Sequence, residues 1–134
     1  MDVKSVPYHT PDGDYEIAVT VCSFATNGRL AINLLYKDDG YWAPFAFLTE
    51  NLPKEPLQIN EAFIKDFDEN KGLLDFILQN QLGTLCPEPG HSVFYTYPKV
   101  AFDMEKLREF DPEGVEKYLR KVQQKKRSPK GKER

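Results

Sequence analysis

Between Tyr15 and Leu48, apolar and polar side chains alternate in three successive runs divided by turn-forming residues. A period of two puts neighbouring residues on opposite faces of an extended chain, so each run reads as a strand with one buried face. In the first, Tyr15, Ile17, Val19 and Val21 alternate with Glu16, Ala18, Thr20 and Cys22. In the second, Leu30, Ile32, Leu34 and Tyr36 alternate with Ala31, Asn33, Leu35 and Lys37, and the third runs from Tyr41 to Leu48. Asn27-Gly28 takes positive φ readily and predicts a tight hairpin; Asp38-Asp39-Gly40 predicts a second. Pro44 has no N–H to give a central ladder, so its strand is expected at a sheet edge or bulged. Val3 to Tyr8, ahead of Pro11-Asp12-Gly13, is expected to add a strand at the start.

The pattern changes after Leu52. Two prolines in Leu52-Pro53-Lys54-Glu55-Pro56 exclude both helix and ladder, which predicts an extended linker. Ile59 to Phe67 fits a short strand or a helical turn equally well. Asp68 or Asn70 is placed to cap a helix with Leu73, Leu74, Ile77 and Leu78 on one face, and Gly83 to end it in a left-handed stop. Ser92 to Tyr97 reads as another strand, with Val93, Tyr95 and Tyr97 on one side and Pro98 at its end. Asp103 caps a short turn carrying Met104 and Leu107. Asp111-Pro112 then pairs a carboxylate N-cap with proline at the first helical position. Val115, Tyr118, Leu119 and Val122 follow at helical spacing as one apolar stripe, and the chain beyond Ser128-Pro129 is expected to be disordered.

These elements predict an α+β fold: an antiparallel meander sheet of about five strands, one packed helix and a C-terminal amphipathic basic helix. The expected division is one domain over 1–110, the basic helix over 111–127 and a tail over 128–134. A chain of 134 residues is long enough for one domain with a true core and too short for two. No apolar run approaches a membrane span, and Met1-Asp2-Val3-Lys4 lacks the apolar stretch of a signal peptide, so the expected location is the cytoplasm. In that compartment Cys22 and Cys86 are expected to be reduced thiols.

Sites for chemistry are sparse. His9 and His91 are far apart and have no spaced carboxylate or thiol with which to hold a metal. The acidic runs Asp12-x-Asp14, Asp38-Asp39 and Asp66-x-Asp68-Glu69 lack the twelve-residue loop and closing glutamate of a calcium site. The eight glycines are scattered singly, and no phosphate-binding glycine loop or Gly-x-Ser-x-Gly turn occurs. No enzyme, cofactor or metal is therefore expected; a thiol mechanism using Cys86 with His91 is the weakest alternative.

Charge and aromatic content offer two binding surfaces instead. The net charge of −3 conceals a division: residues 117–134 hold nine basic residues and one acidic, while residues 1–116 hold nine basic and twenty acidic. The body is thus −11 and the C-terminal segment +8. Lys117, Arg120, Lys121, Lys125, Lys126 and Arg127 are the candidates for contacting phosphates. Aromatics crowd the second hairpin, and alternation forces some of them onto the outer face. Tyr36, Tyr41 and Trp42, with Asp38 and Asp39 of the turn between them, are the candidates for contacting a protein. The proline-marked edge strand is where a homodimer would form.

The order of motifs also resembles a known family. Asn27-Gly28-Arg29-Leu30 leads into Leu34-x-Tyr36, followed by Pro44-Phe45-Ala46-Phe47-Leu48-Thr49-Glu50-Asn51-Leu52 and Asn60-Glu61-Ala62-Phe63-Ile64. Leu82-Gly83, Tyr95-Thr96-Tyr97-Pro98 and Phe102 complete the run. Over residues 8–102 this resembles a domain-of-unknown-function family carried on plasmids, conjugative elements and phages of Gram-positive, often gut-dwelling, bacteria. The family pattern has Ile-Asp-x-Asn where this chain has Ile64-Lys65-Asp66-Phe67, and Ser-Gly-Phe near His91-Ser92-Val93-Phe94. The basic helix after Phe102 lies outside the likeness.

The resemblance implies a mobile-element setting, in which small non-catalytic proteins inhibit host defence by binding a nuclease complex, in the manner of anti-CRISPR and antirestriction proteins. The expected function is accordingly that of a protein-binding accessory of this kind. The alternative is a nucleic-acid-binding accessory acting through the basic helix.

Overall fold

A computed structural model describes residues 3–127 of the chain; the tail at 128–134 lies outside the described residues. Strands β1 (Val6–Thr10), β2 (Gly13–Ser23), β3 (Leu30–Asp38) and β4 (Tyr41–Phe47) form an antiparallel meander in the order β1-β2-β3-β4. Ile17, Val19 and Val21 stand opposite Tyr36, Leu34 and Ile32, so the alternation read from the sequence sets the inner face. The two-residue turn lies at Asp39-Gly40, where φ is 53° and 84°. Asn27-Gly28 does not form a second one. Residues 24–29 make a longer loop in which Gly28 alone has positive φ, at 75°. That loop is closed by hydrogen bonds from Phe24 N to Arg29 O (2.8 Å) and from Gly28 N to Phe24 O (2.7 Å).

The sheet has four strands, with β4 at one edge and a bulge beside Pro44. Register passes from Leu35↔Pro44 to Leu34↔Ala46, leaving Phe45 as the extra residue. The strands that follow do not extend this sheet. They form a second four-stranded sheet instead. Its members are β5 (Thr49–Glu50), β6 (Glu61–Ile64), β7 (Gly83–Leu85) and β10 (Lys99–Phe102), in the order β5-β6-β10-β7. The stretch open to either reading, 59–67, is thus a strand at its centre. A hairpin of β8 (Gly90–His91) and β9 (Thr96–Tyr97) replaces the single strand expected over 92–97. The sheets meet at Ile32, whose carbonyl accepts from Leu48 N and whose N–H donates to the buried Thr49 hydroxyl.

Helix α1 (Leu73–Gln79) buries Leu73, Phe76 and Ile77. Neither Asp68 nor Asn70 caps it. Asp66 Oδ1 accepts from Gly72 N (3.1 Å) and Leu74 N (3.0 Å), and Asn70 donates instead to Phe47 O. Nor does Gly83 provide the left-handed stop, which falls at Gln81 with φ 59°. Gly83 begins β7, where a Cβ would stand 2.6 Å from Val100 Cγ1 and 2.7 Å from Ala101 O. Its requirement is for space against β10.

Helices α2 (Met104–Phe110) and α3 (Pro112–Arg127) start at the expected caps. Asp103 Oδ1 accepts from Glu105 N and Lys106 N, and Asp111 Oδ1 from Gly114 N. Val115 and Tyr118 enter the main core beside Val21, Leu30, Phe102 and Leu107, which makes α3 part of the body. None of the described helices is long and apolar enough to cross a membrane.

Asp111 does more than cap. Its Oδ2 accepts from Val21 N at 2.9 Å, so one carboxylate joins α3 to β2. A Cβ on Gly114 would lie 2.5 Å from Val21 O and run into that same carboxylate. Replacing glycine by alanine within a helix ordinarily stabilises by about 1 kcal/mol. Here Gly114→Ala is expected to destabilise by about 2 kcal/mol through overpacking. Thermal unfolding should show Tm falling by roughly 5–10 °C, and a rise would contradict the packing described.

Candidate protein interface

The bulge in β4 decides which aromatics reach solvent. Continued strict alternation would turn Phe47 inward with Tyr36 and Leu34. The extra residue instead pairs Phe47 with Asn33 on the outer face, where it is 66% exposed. Phe45 turns inward and packs edge-on or tilted against Tyr8, Tyr15 and Tyr36. Outside, Leu35, Pro44, Phe47 and Phe67 line a groove of about 350 Å³ whose rim carries the exposed carboxylates Asp68 and Glu69.

Phe67 joins this groove to the β8–β9 hairpin. Its ring stacks on Tyr95 with centroids 4.5 Å apart and planes 6° from parallel. The hairpin is fixed at its base by Tyr97, buried with Leu52 and Phe63, and by Gly90, where a Cβ would strike the Phe63 ring. At its tip Ser92 N donates to Tyr95 O (2.9 Å), Tyr95 N donates to Ser92 Oγ (3.2 Å), and His91 Nδ1 lies 3.2 Å from Thr96 Oγ1. These bonds present Val93 and Phe94 to solvent, 89% and 86% exposed. Large apolar side chains held outward on an ordered support make the tip a candidate contact surface.

The aromatic residues singled out from the sequence divide between two faces. Tyr41 is 78% exposed beside the exposed Asp38 and Asp39. Trp42 is half-buried, with Lys37 Nζ 5.8 Å from its ring centroid. Tyr36 packs inward against Tyr15 and Phe45; the register puts Asp38 and Tyr41 on its face of the sheet, in solvent, and Trp42 on the opposite face. Alternation overlooked the hairpin tip, since Val93, Phe94 and Tyr95 at period two read as strand. The available signal was the uncharged run after Pro89-Gly90, with a serine suited to a turn.

Lys117, Arg120, Lys121 and Lys125 are exposed along α3, and the side chains of Lys126 and Arg127 lie outside the described residues. Two of the four are engaged with the 24–29 loop and its base: Lys121 Nζ donates to Ser23 Oγ (3.2 Å) and Lys125 Nζ to Asn27 O (2.7 Å).

Both cysteines are free thiols. Cys86 Sγ donates to Glu61 Oε2 at 3.8 Å, while His91 turns to Thr96. Burial and the Glu61 charge push the Cys86 thiol up, and burial with Asp111 does the same to Cys22. A nucleophile needs the opposite shift. Among the described residues no three His, Cys, Asp or Glu side chains gather where they could hold a metal. Alkylation of Cys86 by iodoacetamide is expected to have a midpoint pH above that of free cysteine, and Glu61→Gln to lower it. A midpoint below free cysteine in the unmodified chain would contradict this environment.

Comparison with curated proteins and with solved structures gives no match. A family model described as a domain of unknown function, DUF4313, matches residues 18–122. The match continues through α2 and most of α3, so the shared region does not end at Phe102 as the motif likeness suggested. The chain therefore belongs to the DUF4313 family.

Proposed function

We propose that this chain is a non-catalytic, cytoplasmic accessory protein of a mobile genetic element, and that it acts by binding another protein, a nuclease complex of host defence. The observation that carries the binding reading is the hairpin tip, where Val93 and Phe94 stand in water on a support already hydrogen-bonded and stacked in place. Each such side chain contributes about 1.5–3 kcal/mol when a partner buries it. The order of the tip reduces the entropy lost on docking.

Charge supports the choice of partner. The −11 body, with Asp68 and Glu69 on the groove rim and Asp38 and Asp39 at the turn, complements a surface rich in lysine and arginine. Proteins that hold nucleic acid have such surfaces, and complementary potentials speed association and select the partner. The alternative of nucleic-acid binding draws on the six cations along α3, but Lys121 and Lys125 already donate to the body of the protein.

The test is a nuclease-interference assay with the purified chain and the double variant Val93→Ser/Phe94→Ser. The chain is expected to block cleavage by a matched defence nuclease. The variant should need at least tenfold more protein for the same block, with Tm unchanged because the tip contributes little to the core. Equal potency would remove the hairpin from the interface. No block by either protein, together with salt-sensitive nucleic-acid capture abolished by the full-length variant Lys117→Gln/Arg120→Gln/Lys121→Gln/Lys125→Gln, would favour the alternative.

A further inference from the structure

The second half of α3 extends past the sheet and lies over two loops, 24–29 and the segment leading into β6. A cavity of about 280 Å³ remains between them. Its apolar walls come from Leu30, Leu57, Ile59 and Val122. Val122 ends the apolar stripe of α3 at this space, and Ile59 is 47% exposed at its edge.

Two cations share the same wall, and neither has a carboxylate within 4 Å among the described residues. Arg29 is held by a hydrogen bond from Nη1 to Leu52 O (2.8 Å), and Lys125 by one from Nζ to Asn27 O (2.7 Å). Each bond uses one N–H, which leaves Arg29 four donors and Lys125 two. Glu61 is the acidic member of the wall, and its oxygens are engaged elsewhere: Oε1 accepts from Gln58 N (2.8 Å) and Oε2 from the Cys86 thiol. The Tyr118 hydroxyl donates to Ile59 O, which ties α3 to the opposite side of the cavity.

The geometry points to a binding site here for a small amphipathic anion, a carboxylate or phosphate head carried on an apolar body. The head is received by Arg29 and Lys125 through charge-assisted hydrogen bonds, and the body by the four apolar side chains. The space equals about nine water volumes, so the ligand has on the order of ten non-hydrogen atoms. It spans α3, the 24–29 loop and the segment before β6, and therefore fastens the C-terminal helix to the body. This site is separate from the aromatic groove and independent of the hairpin's role.

The experiment is an amide NMR titration of the full chain with three probes sharing a ring: benzoate, phenyl phosphate and neutral benzyl alcohol. Benzoate or phenyl phosphate is expected to give saturable shifts centred on Gly28, Arg29, Ile59 and Val122, with Kd on the order of 1 mM. Whichever anion is tighter identifies the head group. Benzyl alcohol should bind at least tenfold more weakly. Lys125→Glu, at an exposed position that leaves the fold intact, should weaken the anion at least tenfold, and Val122→Phe should abolish its shifts by filling the space. Absence of saturable shifts overturns the proposal. So does equal binding of the neutral probe, or anion affinity unchanged by Lys125→Glu, since either would leave an apolar crevice without a receptor for charge.

Discussion

The carboxylate of Asp111 holds two incomplete structures to one another. Strand β2 outruns its partner β1, whose last pair is Val6 with Ile17, and the Val21 N–H beyond that point has no strand to receive it. Helix α3 begins with N–H groups that no earlier turn can satisfy. One oxygen of Asp111 accepts from the strand and the other from the helix. An unpaired buried amide costs about 1–3 kcal/mol, so each element lowers the cost of leaving the other unfinished. Gly114 makes the approach close enough, and Val115 and Tyr118 are carried into the core with it. That side chain fixes where α3 starts against β2, and the core residues and the Tyr118 bond to Ile59 carry the helix on to the cavity beside the 24–29 loop.

Local patterns in the sequence determine what is settled within a few residues. Alternation located β2, β3 and β4, Asp39-Gly40 supplied the two-residue turn, and Asp103 and Asp111 announced their helices. Where the deciding contact is distant, the same kind of reading misleads. Asp66 caps α1 from outside any capping pattern, by reaching Gly72 and Leu74 across a 3₁₀ turn. Gly83 and Gly90 look like turn residues, yet each is small because a strand or a phenylalanine ring from elsewhere occupies the adjacent space. The second role of Asp111 was equally hidden, since Val21 lies ninety positions away.

The candidate interface shows the same division. The acidic charge of the body and its surplus of aromatics were legible. The location of the interface was not. Tyr36 belongs to an inward cluster with Tyr8, Tyr15 and Phe45, and the exposed aromatic surface is shared among three separate segments at Phe47, Phe67 and Val93 to Tyr95. No single stretch of chain contains it, so no local period could reveal it. The DUF4313 match runs through most of α3, so the helix belongs to the matched region and is not an appendage to it.

The bulge at Phe45 gives β4 a parity. β4 has seven residues between the Asp39-Gly40 turn and Leu48, and one of them must leave the ladder for both ends to keep their partners on β3. The surface of this strand is therefore written in its length as well as its composition. Removing Phe45 alone would let Ala46 follow Pro44 in plain alternation, leaving Phe47 opposite Asn33 and emptying the place of an inward ring. The extra residue is what allows two rings two positions apart, Phe45 and Phe47, to face opposite sides of one sheet.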